Sequence, residues 1–208
     1  MTYGQVRDAA LQLIDQYSVA GAEIAETYNN QADYLQRIPL LINDCMMYIA
    51  TTTRKIPSAA KLETLDFEEH PHMRVYDAPF DFFQFRGNGL LDLTGEHPVR
   101  LPVQAWVTGR QFVVPKDYPE EAVLEYWRLP TMIDDDPPDT LELDNAPEVH
   151  RLVPYYVAAH LVMGDDSFRY QALYNEFDAR LALLMPQALT AAEPIMDCYD
   201  GFTAWEGY

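Results

Sequence analysis

Val149-His150-Arg151-Leu152-Val153-Pro154-Tyr155-Tyr156-Val157-Ala158-Ala159-His160-Leu161-Val162-Met163 reads as an apolar helix. The turn Asp144-Asn145-Ala146-Pro147 precedes it, and Gly164-Asp165-Asp166 stops it. A second amphipathic helix is predicted from Ser167 to Leu184, with one of the two aspartates capping its free N–H groups. This hairpin holds no nucleophile, metal cluster or glycine loop, so its chemistry is that of packing. Tyr155, Ala158, Ala159 and Val162 share one face by i, i+3, i+4, i+7 spacing, and the alanines permit close helix approach. The opposing helix can belong to the same chain, as ordinary core, or to a neighbouring subunit. The spacing is the same for both.

Working back from the hairpin, residues 131–144 open with the acidic, proline-broken run Asp134-Asp135-Asp136-Pro137-Pro138-Asp139, with Thr140-Leu141-Glu142-Leu143 as a last short strand. Residues 70–130 alternate short β-prone runs with turn residues. The runs are Met73–Tyr76, Phe82–Phe85, Leu90–Leu93, Val103–Val107, Gln111–Val114 and Val123–Trp127. That rhythm predicts a small antiparallel sandwich or barrel. Gly87-Asn88-Gly89 is expected to form a turn, and Thr108-Gly109-Arg110 a hairpin tip.

Two helices come first in the chain. Val6, Ala9, Ala10, Leu13, Ile14 and Tyr17 mark one over 2–17. Tyr34, Ile38, Leu41, Ile42, Cys45, Met46 and Ile49 mark the other, with Asn30 as its N-cap, a kink or restart at Pro39, and an end before Pro57. The expected fold class is therefore α+β. Helices from 1–60 and 145–186 would form a bundle, 61–144 an inserted antiparallel β region, and 187–208 a docking tail carrying Phe202, Trp205 and Tyr208.

Composition narrows the function. The 208 residues carry a formal charge of −19, graded along the chain: 4 Lys/Arg against 6 Asp/Glu in 1–60, 7 against 12 in 61–130, and 3 against 15 in 131–208. Such a surface cannot wrap nucleic acid by neutralising phosphates, although it can let DNA slide past. No signal peptide or membrane span is read, and Cys45 is expected as a buried thiol. There is no Gly-x-Ser-x-Gly turn, phosphate loop, dinucleotide fingerprint or His-Glu-x-x-His. His70-Pro71-His72 lacks further zinc ligands nearby, and Asp134–Asp136 with Asp139 lacks the glycine and terminal glutamate of a calcium loop. No catalytic residue, metal or cofactor is assigned.

The segment Leu152–Leu161 with Gly164-Asp165-Asp166, then Tyr170, Leu173, Tyr174 and Phe177, resembles the C-terminal helical hairpin of tailed-bacteriophage head–tail adaptor proteins, also called connector or neck proteins. The N-terminal part is similar too: a short helix, a longer one from Asp33 to Ile49, and Ile56-Pro57 leading into a β region. The tail after Pro186 and the length of the β insertion depart from the shortest members. The resemblance implies a virion structural protein, made in the host cytoplasm, that is not an enzyme. Its copies would form a homo-oligomeric ring of about twelve docked beneath the portal protein. The ring would extend the channel, let DNA pass without specific binding, and offer a platform to tail or neck proteins. The two hairpin tips and the aromatic tail would be its contacts, with no membrane involved. The runner-up is an acidic DNA mimic that inhibits a nucleic-acid-binding protein. A third reading, a metal-dependent hydrolase using Asp134, Asp135 and Asp136, requires divalent-metal binding.

Overall fold

The computed structural model describes residues 1–15, 31–62, 64–65, 72–92, 99–102, 106–108, 111–117 and 122–184. The fold is α+β, with helices and antiparallel sheets.

Helix α1 (Tyr3–Leu13) starts at a capping box, in which the Thr2 hydroxyl accepts from Gln5 N–H and the Gln5 side chain from Thr2 N–H. Helix α2 (Gln31–Thr52) runs unbroken through Pro39, so the expected restart is not observed. The predicted cap Asn30 lies outside the described residues. The expected helix over 149–163 is divided into α3 (Pro147–His150) and α4 (Val153–Val162), with Pro154 in the first turn of α4, where its missing N–H costs no helical hydrogen bond. Helix α5 (Ser167–Leu184) is capped as foreseen: Asp166 Oδ1 accepts from Arg169 N–H at 2.9 Å.

The helices from both ends of the chain share one core. Val6, Ala10 and Leu11 of α1 meet Ile38, Ile42, Cys45, Met46 and Ile49 of α2, Val153, Val157, Ala158 and Leu161 of α4, and Phe177 and Leu181 of α5. Helix α4 is apolar nearly all round and correspondingly enclosed. Burial pushes the Cys45 thiol well up, and it stays an inert core thiol.

Among the described residues, eight strands form two four-stranded antiparallel sheets. The first is ordered β1 (Ile56–Leu62), β8 (Ala122–Arg128), β4 (Phe82–Asp92), β5 (Val99–Pro102). The second is ordered β2 (Thr64–Leu65), β3 (Met73–Asp77), β7 (Gln111–Pro115), β6 (Trp106–Thr108). Ala122, Leu124 and Tyr126 alternate inward from β8 and join Tyr76, Leu90, Phe112 and Val114 in a second cluster fed by both sheets.

Three expectations need correction. Gly87–Gly89 do not turn the chain. They lie inside β4, which pairs with β8 on both sides of them, with a register shift between Phe85 and Leu90. The glycines accommodate an irregularity within a strand rather than reverse it. Residues 140–143 are not a sheet strand. Glu142 makes one bridge to Thr2, with Tyr3 N–H donating to Leu141 C=O and Leu143 N–H to Met1 C=O. Finally, β1 begins at Ile56, ahead of the expected boundary at 61, and Pro57 is tolerated because β1 is an edge strand. The hairpin at 106–115 agrees with expectation, with Thr108 opposite Gln111. Gly109 and Arg110 lie outside the described residues, as do Val103 and Phe202, Trp205 and Tyr208.

Candidate functional site

Among the described residues, two concave surfaces and one helix face stand out. The first concavity, of about 520 Å³, lies where the sheet meets the helices and is lined by Arg54, Pro57, Trp127, Arg128 and Asp144 among others. Arg128, last in β8, makes a two-pronged ion pair with Asp144, and Asp144 also accepts from Thr131 N–H at 2.7 Å. Their side chains are 21% and 25% exposed, so the pair is shielded but not sealed. The Arg128 hydrogen bonds, aided by Thr131, hold the Asp144 carboxyl well below the usual carboxylate range against the opposing effect of burial. Arg54 is paired to Glu148 at 2.9 Å, and Lys55 to Gln84 at 2.6 Å. The charges of this cleft are spent on bracing the sheet against the helices.

A prediction follows from that bracing. Asp144→Ala leaves Arg128 shielded and unpaired, and should cost about 2 kcal/mol after discounting a buried pair for partial exposure. The native carboxyl is depressed, so its stabilisation is complete above the unfolded value near pH 4 and is lost as pH falls toward the folded one. Urea midpoints of wild type and variant should therefore differ at pH 7 and converge toward pH 2. A gap unchanged by acid would count against the ion pair as its source.

The second concavity, of about 410 Å³, lies between α1, α4 and α5. Met1, Leu13, Arg151, Pro154, Tyr155 and Arg180 contribute to its walls. The Arg180 guanidinium sits over the Tyr155 ring, 4.3 Å from its centroid, and pairs with Glu176 at 2.6 Å. Arg151 is exposed and forms no ion pair among the described residues. The Met1 nitrogen lies 2.7 Å from His150 Nδ1. His150 is buried, which lowers its pKa, and the amino group's charge lowers it further.

The predicted face Tyr155, Ala158, Ala159 and Val162 divides between these surroundings. Ala158 and Ala159 are wholly enclosed and Val162 is buried, all within one chain, while Tyr155 is half-buried on the groove wall. Of the two alternatives for that face, the chain itself covers the alanines. The exposed helix face lies instead on α5. Phe168, Ala172, Asn175, Ala179 and Ala182 follow one another at alternating steps of four and three, with Leu183 beside them, and all are exposed. Phe168 is 84% and Leu183 83% exposed. Sequence reasoning missed this stripe because its alanines give no bulky periodic signal. The step pattern itself, that of a helix seam, is present in the sequence.

No protein-family model and no curated protein matches this chain. Among the described residues, no three His, Cys, Asp or Glu side chains are grouped to hold a metal, and no helix is long and apolar enough to cross a membrane. Asp134, Asp135 and Asp136 are exposed, while Asp139 pairs with Arg7.

Proposed function

We propose that the protein is a virion structural component, a head-to-tail adaptor whose copies form a ring on the portal protein, extend the DNA channel and carry tail or neck proteins. In this reading the helices of both chain ends act as one bundle forming the ring wall, and the two sheets act as an inserted sandwich projecting from it. The observation that carries the proposal is the uncovered seam on α5. Copies of net charge −19 repel one another, so they must meet through a surface that is nearly neutral and can be desolvated. The α5 stripe is such a surface: largely apolar, interrupted by one asparagine, and bordered by the internally balanced Glu176–Arg180 pair on one side and Asp178 on the other. Acid left facing a channel repels phosphate at close range, within about 8–10 Å at physiological salt, which favours passage over binding.

The test is assembly. Purified protein mixed with portal should give ring-sized particles by electron microscopy and sedimentation. Ala172→Arg with Ala179→Arg, both exposed and outside the core, should abolish them with an unchanged thermal midpoint. A wild type that stays a monomer with portal present would sink the reading. Variants that assemble normally would remove α5 as the contact. Recovery of a host DNA-binding enzyme in a pull-down, with no portal, would favour the acidic-mimic alternative.

A further inference from the structure

The groove between α1, α4 and α5 holds an exposed arginine, Arg151, on an acidic protein. Arg151, Arg180 and Met1 line it together with the apolar Leu13, Pro154 and Tyr155. Glu176 balances the Arg180 charge and the Met1 nitrogen lies against His150, which leaves Arg151 as the groove's unbalanced side-chain charge among the described residues. The end of α5 lies beside the groove, because Arg180 is one helical turn from Leu184. The chain that continues from there, residues 185–208, lies outside the described residues. Its sequence is complementary to the groove in two ways. It contains Glu193, Asp197, Asp200 and Glu206 and no Lys, Arg or His. It also places Tyr199, Phe202, Trp205 and Tyr208 at intervals of three, with Asp197, Asp200 and Glu206 on a second row of the same period. In a conformation with three residues per turn, aromatic rings would occupy one edge and carboxylates the next.

We infer that the groove seats this chain's own C-terminal segment, with an aromatic side chain entering beside Tyr155 and a neighbouring carboxylate facing Arg151. The stacked Arg180–Tyr155 pair forms a ready platform for a further ring, and Arg151 supplies a guanidinium that forms no ion pair among the described residues. The short tether favours the chain's own segment over any other occupant, since a covalent connection of this length sets an effective concentration in the millimolar range. The seat depends on the groove and the segment alone, so it stands or falls separately from the ring.

The test uses the full chain without portal. Chymotrypsin cleavage after Tyr199, Phe202 and Trp205 is followed by mass spectrometry, with a synthetic 185–208 peptide as the unprotected reference. If the seat binds the segment with a dissociation constant about tenfold below the effective concentration, cleavage in the wild type should be about tenfold slower than in the peptide. Arg151→Glu, alone and with Arg180→Glu, should restore the peptide's rate, as should raising salt to about 0.5 M in the wild type. The salt arm keeps the test decisive if a variant folds poorly. Cleavage at the peptide's rate in the wild type would overturn the inference, and so would protection indifferent to both charge and salt. Protection that grows with protein concentration would also overturn it, because the seat would then belong to a second copy.

Discussion

Phe177→Ala is expected to lower the unfolding free energy by about 3–5 kcal/mol, the range for removing an enclosed aromatic side chain from a core. Phe177 is completely buried, and its ring is met by Tyr156 at 5.2 Å, Tyr174 at 5.8 Å and Tyr48 at 6.4 Å between centroids. These neighbours are poor at collapsing into the space. Tyr156 lies 4.1 Å from His160 with the rings tilted by 30°, His160 Nδ1 is fixed to Tyr156 C=O, and burial has already pushed the Tyr156 hydroxyl up to about 12. Only Phe177 and Leu181 are fully buried on α5, so this helix is held to α2 and α4 by two principal side chains and the half-buried Tyr170, Leu173 and Tyr174. The loss should appear first as faster amide exchange along α5, ahead of global unfolding. Phe177→Leu, which keeps most of the apolar volume, should cost less than about 1.5 kcal/mol. Urea unfolding gives the totals. A change below 1 kcal/mol for the alanine variant would mean that α5 is not anchored there. The proposed contact between copies would then lose its rigid base.

Periodicity made the helices legible because each signal is local. Val6, Ala10 and Ile14 face inward as their spacing demands, as do Ile38, Ile42 and Ile49, whereas Leu11 is fully buried outside the expected stripe. Turn punctuation likewise located β3, β7 and β8. Legibility ended where long-range pairing decides. Ile56-Pro57-Ser58-Ala59-Ala60 has neither alternation nor bulk, and is a strand because β8 pairs with it over its full length. Gly87-Asn88-Gly89 carries a strong local turn signal, yet β8 holds the chain on both sides and converts the turn into an irregularity. The α4 face was identified, but its partner was not, since Ala158 would look the same against α1 as against another molecule. The groove depends on Met1, Leu13, Arg151 and Arg180 being brought together from three separate parts of the sequence.

A contact of the same long-range kind carries the second large effect. Asn43, on α2, is buried, and its side chain grips the backbone of Ile133: Nδ2 donates to Ile133 C=O at 2.9 Å, and Oδ1 accepts from Ile133 N–H at 2.9 Å. Only this orientation of the amide satisfies both groups. Between β8 and α3 the chain runs through residues 129–146 with neither helix nor sheet strand, and such a segment must place its buried backbone groups elsewhere. It does so by discrete ties: Leu129 N–H to Asp81 C=O, Thr131 N–H to Asp144, Ile133 to Asn43, and Gly4 N–H to Asp139 C=O. The Ile133 tie is the one buried on both sides, so Asn43→Ala strands a donor and an acceptor together. At about 1–3 kcal/mol for each unsatisfied group, partly relieved by water entering the space, the net loss should be about 2–4 kcal/mol. Asn43→Asp is expected to be at least as damaging at neutral pH, because it keeps the acceptor for Ile133 N–H but sets a carboxylate against Ile133 C=O. That variant should recover part of its stability in mild acid, where a protonated carboxyl can donate again, whereas the alanine variant should not. Thermal or urea unfolding of both variants between pH 7 and pH 5 checks the pair. If both variants showed the same pH dependence, the tie would not be acting through its two hydrogen bonds, and the path of residues 129–146 over α2 would need another anchor.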